Sequence, residues 1–197
     1  MNKPLMAAAI AAAMIAPAAH ATTVAIAGDG SWNEFTVDNV RAPAFGTGWI
    51  DAADGSALDF TFTIGAGQHG MLTVVDAGFA GDTFTITSNG SILGSTAAVP
   101  AGDVDGPLEF DFGAALANPS YSHGTFMLGA GTYSIGGSLL QSVLDVDGTP
   151  LDATNGALRL SVSAVAEPAD AALMFAGLAA LGLFARRRQA ARSADAI

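Results

Sequence analysis

Two short stretches of this 197-residue chain carry side chains that could hold a hard cation, Asp103-Val104-Asp105-Gly106 and Asp145-Val146-Asp147-Gly148. Each has the form D-x-D-G. Calcium takes roughly six to eight oxygens from carboxylates, carbonyls and water, and paired aspartates in a loop can supply several of them. An EF-hand loop would need further ligands and a bidentate Glu at its twelfth position, and neither stretch continues that way. Asp-Gly is also ordinary turn chemistry, because Asp bonds its own backbone and Gly accepts positive φ. Asp103, Asp105, Asp145 and Asp147 are therefore assigned to turns, with calcium as the alternative and no other cofactor implied.

Nucleophilic catalysis has less to draw on. Ser122, His123 or His69, and Asp111 could be sketched as nucleophile, base and orienter. There is no G-x-S-x-G elbow, and nothing in the sequence holds the three together. Two distant histidines without cysteine do not make a recognisable zinc site. No catalytic residue is assigned, and the expectation is a protein that is not an enzyme. Thr61 and Thr63, with Thr83, Thr85 and Thr87, form T-x-T ladders of the kind found on flat ice-binding faces. Threonine is equally the ordinary solvent-face residue of a strand. Trp32, Trp49, Tyr121 and Tyr133, if exposed, could stack on sugar rings; packing in a core is their commoner use.

Charge narrows the partners. Between Thr22 and Val165 only Arg41 and Arg159 stand against fifteen acids, a formal −13. That excludes nucleic-acid binding by phosphate neutralisation and disfavours anionic lipid; cations and neutral polymers fit better. The absence of cysteine excludes a disulfide framework and thiolate metal sites.

The elements that must position these residues read as strands. Leu58, Phe60, Phe62 and Ile64 alternate with Asp59, Thr61 and Thr63, which puts four apolar side chains on one face. Similar alternation marks Phe35 and Val37, Leu72 and Val74, Phe84 and Ile86, Leu108, Phe110 and Phe112, Tyr133 and Ile135, and Leu158, Leu160 and Val162. Gly-Asp, Asn-Gly and Asp-Gly pairs punctuate the runs at short intervals. This pattern predicts an all-β fold, an antiparallel β-sandwich or jelly-roll-like ectodomain over residues 22–165. Gly113 to Asn118 predicts one helical turn, stopped by Pro119.

Both ends differ from the middle. Lys3, then twelve apolar residues from Leu5 to Ala16, then Pro17 and Ala19-His20-Ala21 predict a secretory signal peptide over residues 1–21, cleaved after the A-x-A formed by Ala19 and Ala21. Residues 171–185 carry no charge and are bounded by Glu167-Pro168 and by Arg186-Arg187-Arg188. As a helix this run is about 22 Å long, against a hydrocarbon core of roughly 30 Å. It predicts a marginal single transmembrane helix with the arginines on the cytoplasmic side and the acidic domain outside.

Ala166-Glu167-Pro168, Leu173-Met174-Phe175-Ala176-Gly177-Leu178, Leu181-Gly182-Leu183 and Arg186-Arg187-Arg188 follow one another in the order of the PEP-CTERM sorting tail of exported bacterial proteins, and residues 166–197 resemble that tail. Ala166 occupies the place of the signature's first proline. The resemblance implies that the chain is a substrate of an exosortase, a membrane cysteine protease, and is transiently anchored in the inner membrane. The same tail occurs on some bacterial ice-binding proteins. Val74-Val75-Asp76-Ala77-Gly78-Phe79 with Gly81-Asp82-Thr83-Phe84 also resembles a hairpin of secreted β-sandwich proteins. The resulting expectation is a non-enzymatic protein of the cell envelope or exopolysaccharide matrix; the alternative is a secreted module for calcium, glycan or ice.

Overall fold

In strand β3 (Ala57–Ile64) the side chains of Leu58, Phe60, Phe62 and Ile64 are all buried, while Asp59, Thr61 and Thr63 alternate with them. The computed structural model of the chain describes residues 21–165 and 173–182. Ala19, Glu167, Pro168 and the Arg186-Arg187-Arg188 cluster lie outside the described residues.

Ten strands and one short helix fill the first range. They are β1 (Ala21–Ala25), β2 (Asp29–Asp38), β3, β4 (Gln68–Phe79), β5 (Thr83–Ser88), β6 (Ser91–Ser95), β7 (Leu108–Glu109), α1 (Phe112–Ala117), β8 (His123–Leu128), β9 (Gly131–Gln141) and β10 (Ala153–Ala164). One sheet runs β1-β3-β9-β5-β6. The other runs β2-β10-β4, with β7 and β8 sharing the far edge of β4. The fold is thus mostly β, in two sheets packed as a sandwich. β5 and β6 are joined at Asn89-Gly90, whose φ angles of 50° and 78° are those of a tight hairpin turn.

The core lies between the sheets. Leu72 and Val74 of β4 meet Leu158 and Leu160 of β10, and Phe35, Val37, Phe84, Ile86 and Ile135 close over them. At its centre Phe35 stacks on Trp49, and the edge of Phe84 meets the Phe35 ring at 88°. Trp49 comes from a loop that crosses between the sheets. Trp49 N donates to Gly137 O at 2.9 Å, Leu58 N donates to Trp49 O at 3.0 Å, and Ile50 exchanges two hydrogen bonds with Thr36. A Cβ on Gly137 would fall 2.5 Å from the indole, so only glycine leaves room for the ring. A second, smaller cluster lies on the opposite face of β4 and β10, where Val75 and Ala157 pack under Ala115 of α1 and Tyr121.

Several elements depart from the sequence reading. β1 runs parallel to β3, with Ala21 opposite Ala57 and Ala25 opposite Thr61. Between them the chain crosses to the other sheet as β2 and returns, so the two need not be antiparallel. The strand expected across Leu108, Phe110 and Phe112 is cut to two residues. Glu109 Oε1 accepts from the amides of Phe110 and Asp111, and Asp111 Oδ1 caps α1 by accepting from Ala114 N at 2.8 Å. Acidic side chains that bond nearby backbone amides give the chain an alternative to the ladder. α1 itself falls where Gly113 to Asn118 predicted a helical turn. Residues 173–182 form a helix whose described side chains are all exposed. No helix among the described residues is long and apolar enough to cross a membrane.

Candidate functional site

The two D-x-D-G stretches are neighbours. Asp103 lies across a parallel bridge from Leu144, Val104 N donates to Leu144 O at 3.1 Å, and Leu144 N donates to Gly102 O at 3.0 Å. Three of the four carboxylates serve their own turns. Asp103 Oδ1 accepts from Asp105 N at 3.1 Å and Asp145 Oδ1 from Val146 N at 2.7 Å. Asp147 Oδ1 accepts from Thr149 Oγ1 at 2.7 Å and from Thr149 N at 3.0 Å, and these bonds hold its carboxyl below the ordinary carboxylate value. Among the described residues no three His, Cys, Asp or Glu side chains converge in a way that could hold a metal.

The four residues of the catalytic sketch are each engaged with other partners. Ser122 is fully buried and its Oγ bonds Thr96 Oγ1, which also accepts from Phe84 N. His123 Nδ1 lies 3.4 Å from Tyr121 O, His69 Nε2 lies 3.0 Å from Ser163 Oγ, and Asp111 caps α1. No hydrogen bond joins any two of them among the described residues. The sugar-stacking platform does not assemble either, because Trp49 and Tyr121 are 2 % and 1 % exposed. Trp32 is half-buried under Arg159, whose guanidinium carbon sits 4.5 Å from the ring centroid, and Tyr133 stacks on Phe62.

The threonine ladders are in register. On the outer face of the first sheet Thr61 lies opposite Ser134 and Thr63 opposite Thr132, whose Oγ1 atoms are 3.2 Å apart. Thr85 lies between Ser138 on one side and Ser95 on the other. Thr83 and Thr87 do not join the row: Thr87 lies opposite Gly136 and Ile92. The register slips between Thr83 and Phe84, and Thr83 is only 4 % exposed.

The most chemically distinct place was missed by the sequence reading. Asp76 continues the inward row of Leu72 and Val74 on β4, opposite Gly156 of β10. A Cβ on Gly156 would fall 2.4 Å from Phe35 Cζ, so the neighbouring position carries no side chain. Asp76 is 0 % exposed and Asp82 1 %. Asp76 Oδ2 accepts from Gly81 N at 3.3 Å and Asp82 N at 3.2 Å, while Oδ1 is buried without a hydrogen-bond partner. Asp82 Oδ1 accepts from Val143 N at 2.7 Å. Burial, and secondarily the charge of Asp82, push the Asp76 carboxyl up to about 9; burial pushes Asp82 to about 6 against the pull of Thr154 and the Val143 amide. The signal that could have found the pair is an acid on the apolar parity of a strand otherwise read as core.

The turn between β4 and β5 is pinned from several sides. Gln141 Nε2 donates to Gly81 O at 2.7 Å and Val99 O at 3.1 Å, Ala80 N donates to Pro107 O, and the Tyr121 hydroxyl lies within reach of Pro107 O and Gly78 O. Such a closed, water-excluded carboxyl pair can hold and release a proton. It offers no open face to a substrate.

No family model and no curated protein matches this sequence. Among solved structures, the pre-peptidase C-terminal domain of a collagenase from Bacillus anthracis is similar at 9 % identity, over 72 % of this chain and 95 % of that one, with a TM-score of 0.36.

Proposed function

We propose that the chain is a non-enzymatic exported protein of the cell envelope or exopolysaccharide matrix, delivered by its N-terminal signal and processed by an exosortase at its PEP-CTERM-like tail. The observation that carries this reading is the order of features in the sequence: a charged start, an apolar run and A-x-A, then an acidic domain, then Glu167-Pro168, an apolar run and three arginines. The layout of the sandwich supports it. β1 begins at Ala21, the last residue of the expected signal, and β10 ends at Ala164, so the first cut would trim one residue from the edge strand β1 while the buried core residues, from Ile26 to Leu160, stay between the two cuts. Leu173, Met174, Phe175, Leu178 and Leu181 are between 57 % and 70 % exposed in their helix, a surface suited to lipid. Deleting the host's exosortase should shift the acidic domain from the envelope surface or medium to the inner membrane. An unchanged distribution would contradict the proposal.

A second reading, a secreted module for calcium, glycan or ice, draws support from the in-register hydroxyl rows on the first sheet. Hydroxyls at the spacing of a ladder can bond a neutral polymer without any charge. Retention on the host's exopolysaccharide that is lost on converting Thr63 and Thr132 to valine would favour it; no retention by the unaltered chain would remove the glycan form of it.

A further inference from the structure

We propose that Asp76 and Asp82 form a proton-linked latch that keeps the β4–β5 turn, residues 80–82, closed over the end of the core while the pair holds a proton and frees it when both carboxylates are charged. The geometry places the latch at a carboxylate that both binds the turn and is walled in by the core. Asp76 Oδ2 takes the amides of Gly81 and Asp82, and Asp82 Oδ1 takes the amide of Val143 just beyond β9. The two acids thus tie β4, the turn and the residues after β9 into one closed end.

Among the described residues no cation is at hand to neutralise them. Around the pair stand Asp82 and Asp76 themselves, Asp152 before β10, Glu109 on β7 and the phenol of Tyr121; the charge of Asp152 acts on Asp82, and those of Asp76 and Glu109 act on Tyr121. Asp38, at the end of β2 beside Asp152, accepts from Arg41 N. The facing positions on β10 and β9 are the neutral Thr154, Gly156 and Gln141. Within residues 21–165 the arginine and lysine side chains are Arg41 and Arg159; of the histidines, His69 bonds Ser163 and His123 stands opposite Val75, whose side chain is on the other face of β4 from Asp76. Arg41 donates to Ala52 O and Ala53 O, and Arg159 stacks on Trp32.

Two buried like charges without a counter-ion repel, and each loses its hydration, so the doubly ionised pair is the costly state. The orphaned Oδ1 of Asp76 has nothing to spread that charge onto. Opening the turn relieves both costs by admitting water. The turn is packed tightly enough for its release to be felt by its neighbours. A Cβ on Gly102 would fall within bonding range of Ala80 O, so residues 99–107 lie directly against it. The same segments line a cleft of about 290 Å³ formed by Ala80, Pro100, Ala101, Gly102, Pro107 and Pro119. With the turn free, that cleft loses one wall.

The test is amide hydrogen exchange on the full-length protein in mild detergent, read at Gly81, Asp82 and Val143 between pH 6 and pH 10 and corrected for the intrinsic base-catalysed rate. The expected result is a fall in protection of at least about tenfold, since each pK unit of linkage is worth a factor of ten. Asp76→Asn, which keeps an acceptor for the turn amides and cannot ionise, should abolish the fall. Asp82→Asn leaves Asp76 as the one ionisable acid of the pair, so the doubly charged state cannot form and the fall should be lost or greatly reduced. If Asp76→Asn does not fold, Asp82→Asn decides alone: a lost or reduced fall supports the latch and an unchanged fall overturns it. Flat protection in the unaltered protein would also overturn it. So would protection at pH 9 restored by millimolar calcium but not by sodium at equal ionic strength, because the pair would then be a cation site.

Discussion

Phe35 and Trp49 stack face to face with ring centroids 3.8 Å apart and planes 13° from parallel, one from β2 and the other from the loop that crosses to the opposite sheet. The stack joins the two layers at the point where Phe84 and Phe60 meet it edge-on. Trp49→Ala should therefore lower the unfolding free energy of residues 22–165 by about 3–5 kcal/mol in a urea titration. Trp32, half-buried against Phe112 and Arg159, should cost clearly less on the same change. Equal losses would contradict the assignment of Trp49 to the central stack.

Gly137 and Gly156 give room to those same rings. A Cβ at either position meets aromatic carbon at 2.5 or 2.4 Å, closer than van der Waals contact allows. Gly156→Ala and Gly137→Ala should each destabilise by about 1–3 kcal/mol through overpacking, measured by the same titration. Gly129→Ala, where nothing lies within 4 Å, is the control and should change little.

Asp76 and Asp82 set the pH profile of stability. Both are raised from 3.8, to about 9 and about 6, so the folded chain binds protons more tightly than the unfolded one. Their contribution is full below pH ~4 and is lost as pH rises, first through about 6 and then through about 9. The melting temperature of residues 22–165 should fall steadily from pH 5 to pH 9, and Asp76→Asn should flatten the upper part of that slope. A melting temperature that rises over this range in the unaltered protein would contradict the burial argument.

The formal −13 of residues 22–165 predicts a response to salt. Like charges destabilise the compact state, and screening relieves them. Because Asp103, Asp145 and Asp147 bond their own turns, sodium and calcium should raise the melting temperature equally at matched ionic strength. A calcium-selective rise lost on changing Asp103 and Asp105, or Asp145 and Asp147, to asparagine would show a specific site.

The parts of the fold that were legible in the sequence share one property, strict alternation with a buried face. β3 is the clearest case, and Leu158 and Leu160 of β10 follow the same rule. β6 was not foreseen, because Ser91-Ile92-Leu93-Gly94-Ser95 is short and pairs with a single neighbour, so only Leu93 packs on the core. The break at Phe110 was hidden because apolar periodicity does not report that Glu109 and Asp111 bond the backbone instead of leaving it to the ladder. Asp76 was hidden by composition: fourteen other acids between Thr22 and Val165 make one more look like surface. The adjacency of the two D-x-D-G loops depends on a bridge between Asp103 and Leu144, distant in the sequence, and has no local signature. Hydrogen-bonded rows such as Thr63 with Thr132 are likewise invisible until the register of β3 on β9 is known.

The proposed function turns on release of the acidic sandwich from between two sorting segments. Intact-mass measurement of the protein purified from its native host tests it most directly. The account predicts a mass lacking residues 1–21 and lacking Arg186-Arg187-Arg188, with the C-terminus near Glu167-Pro168. A mass that retains the three arginines while the exosortase is present would contradict it and leave the tail as a plain anchor.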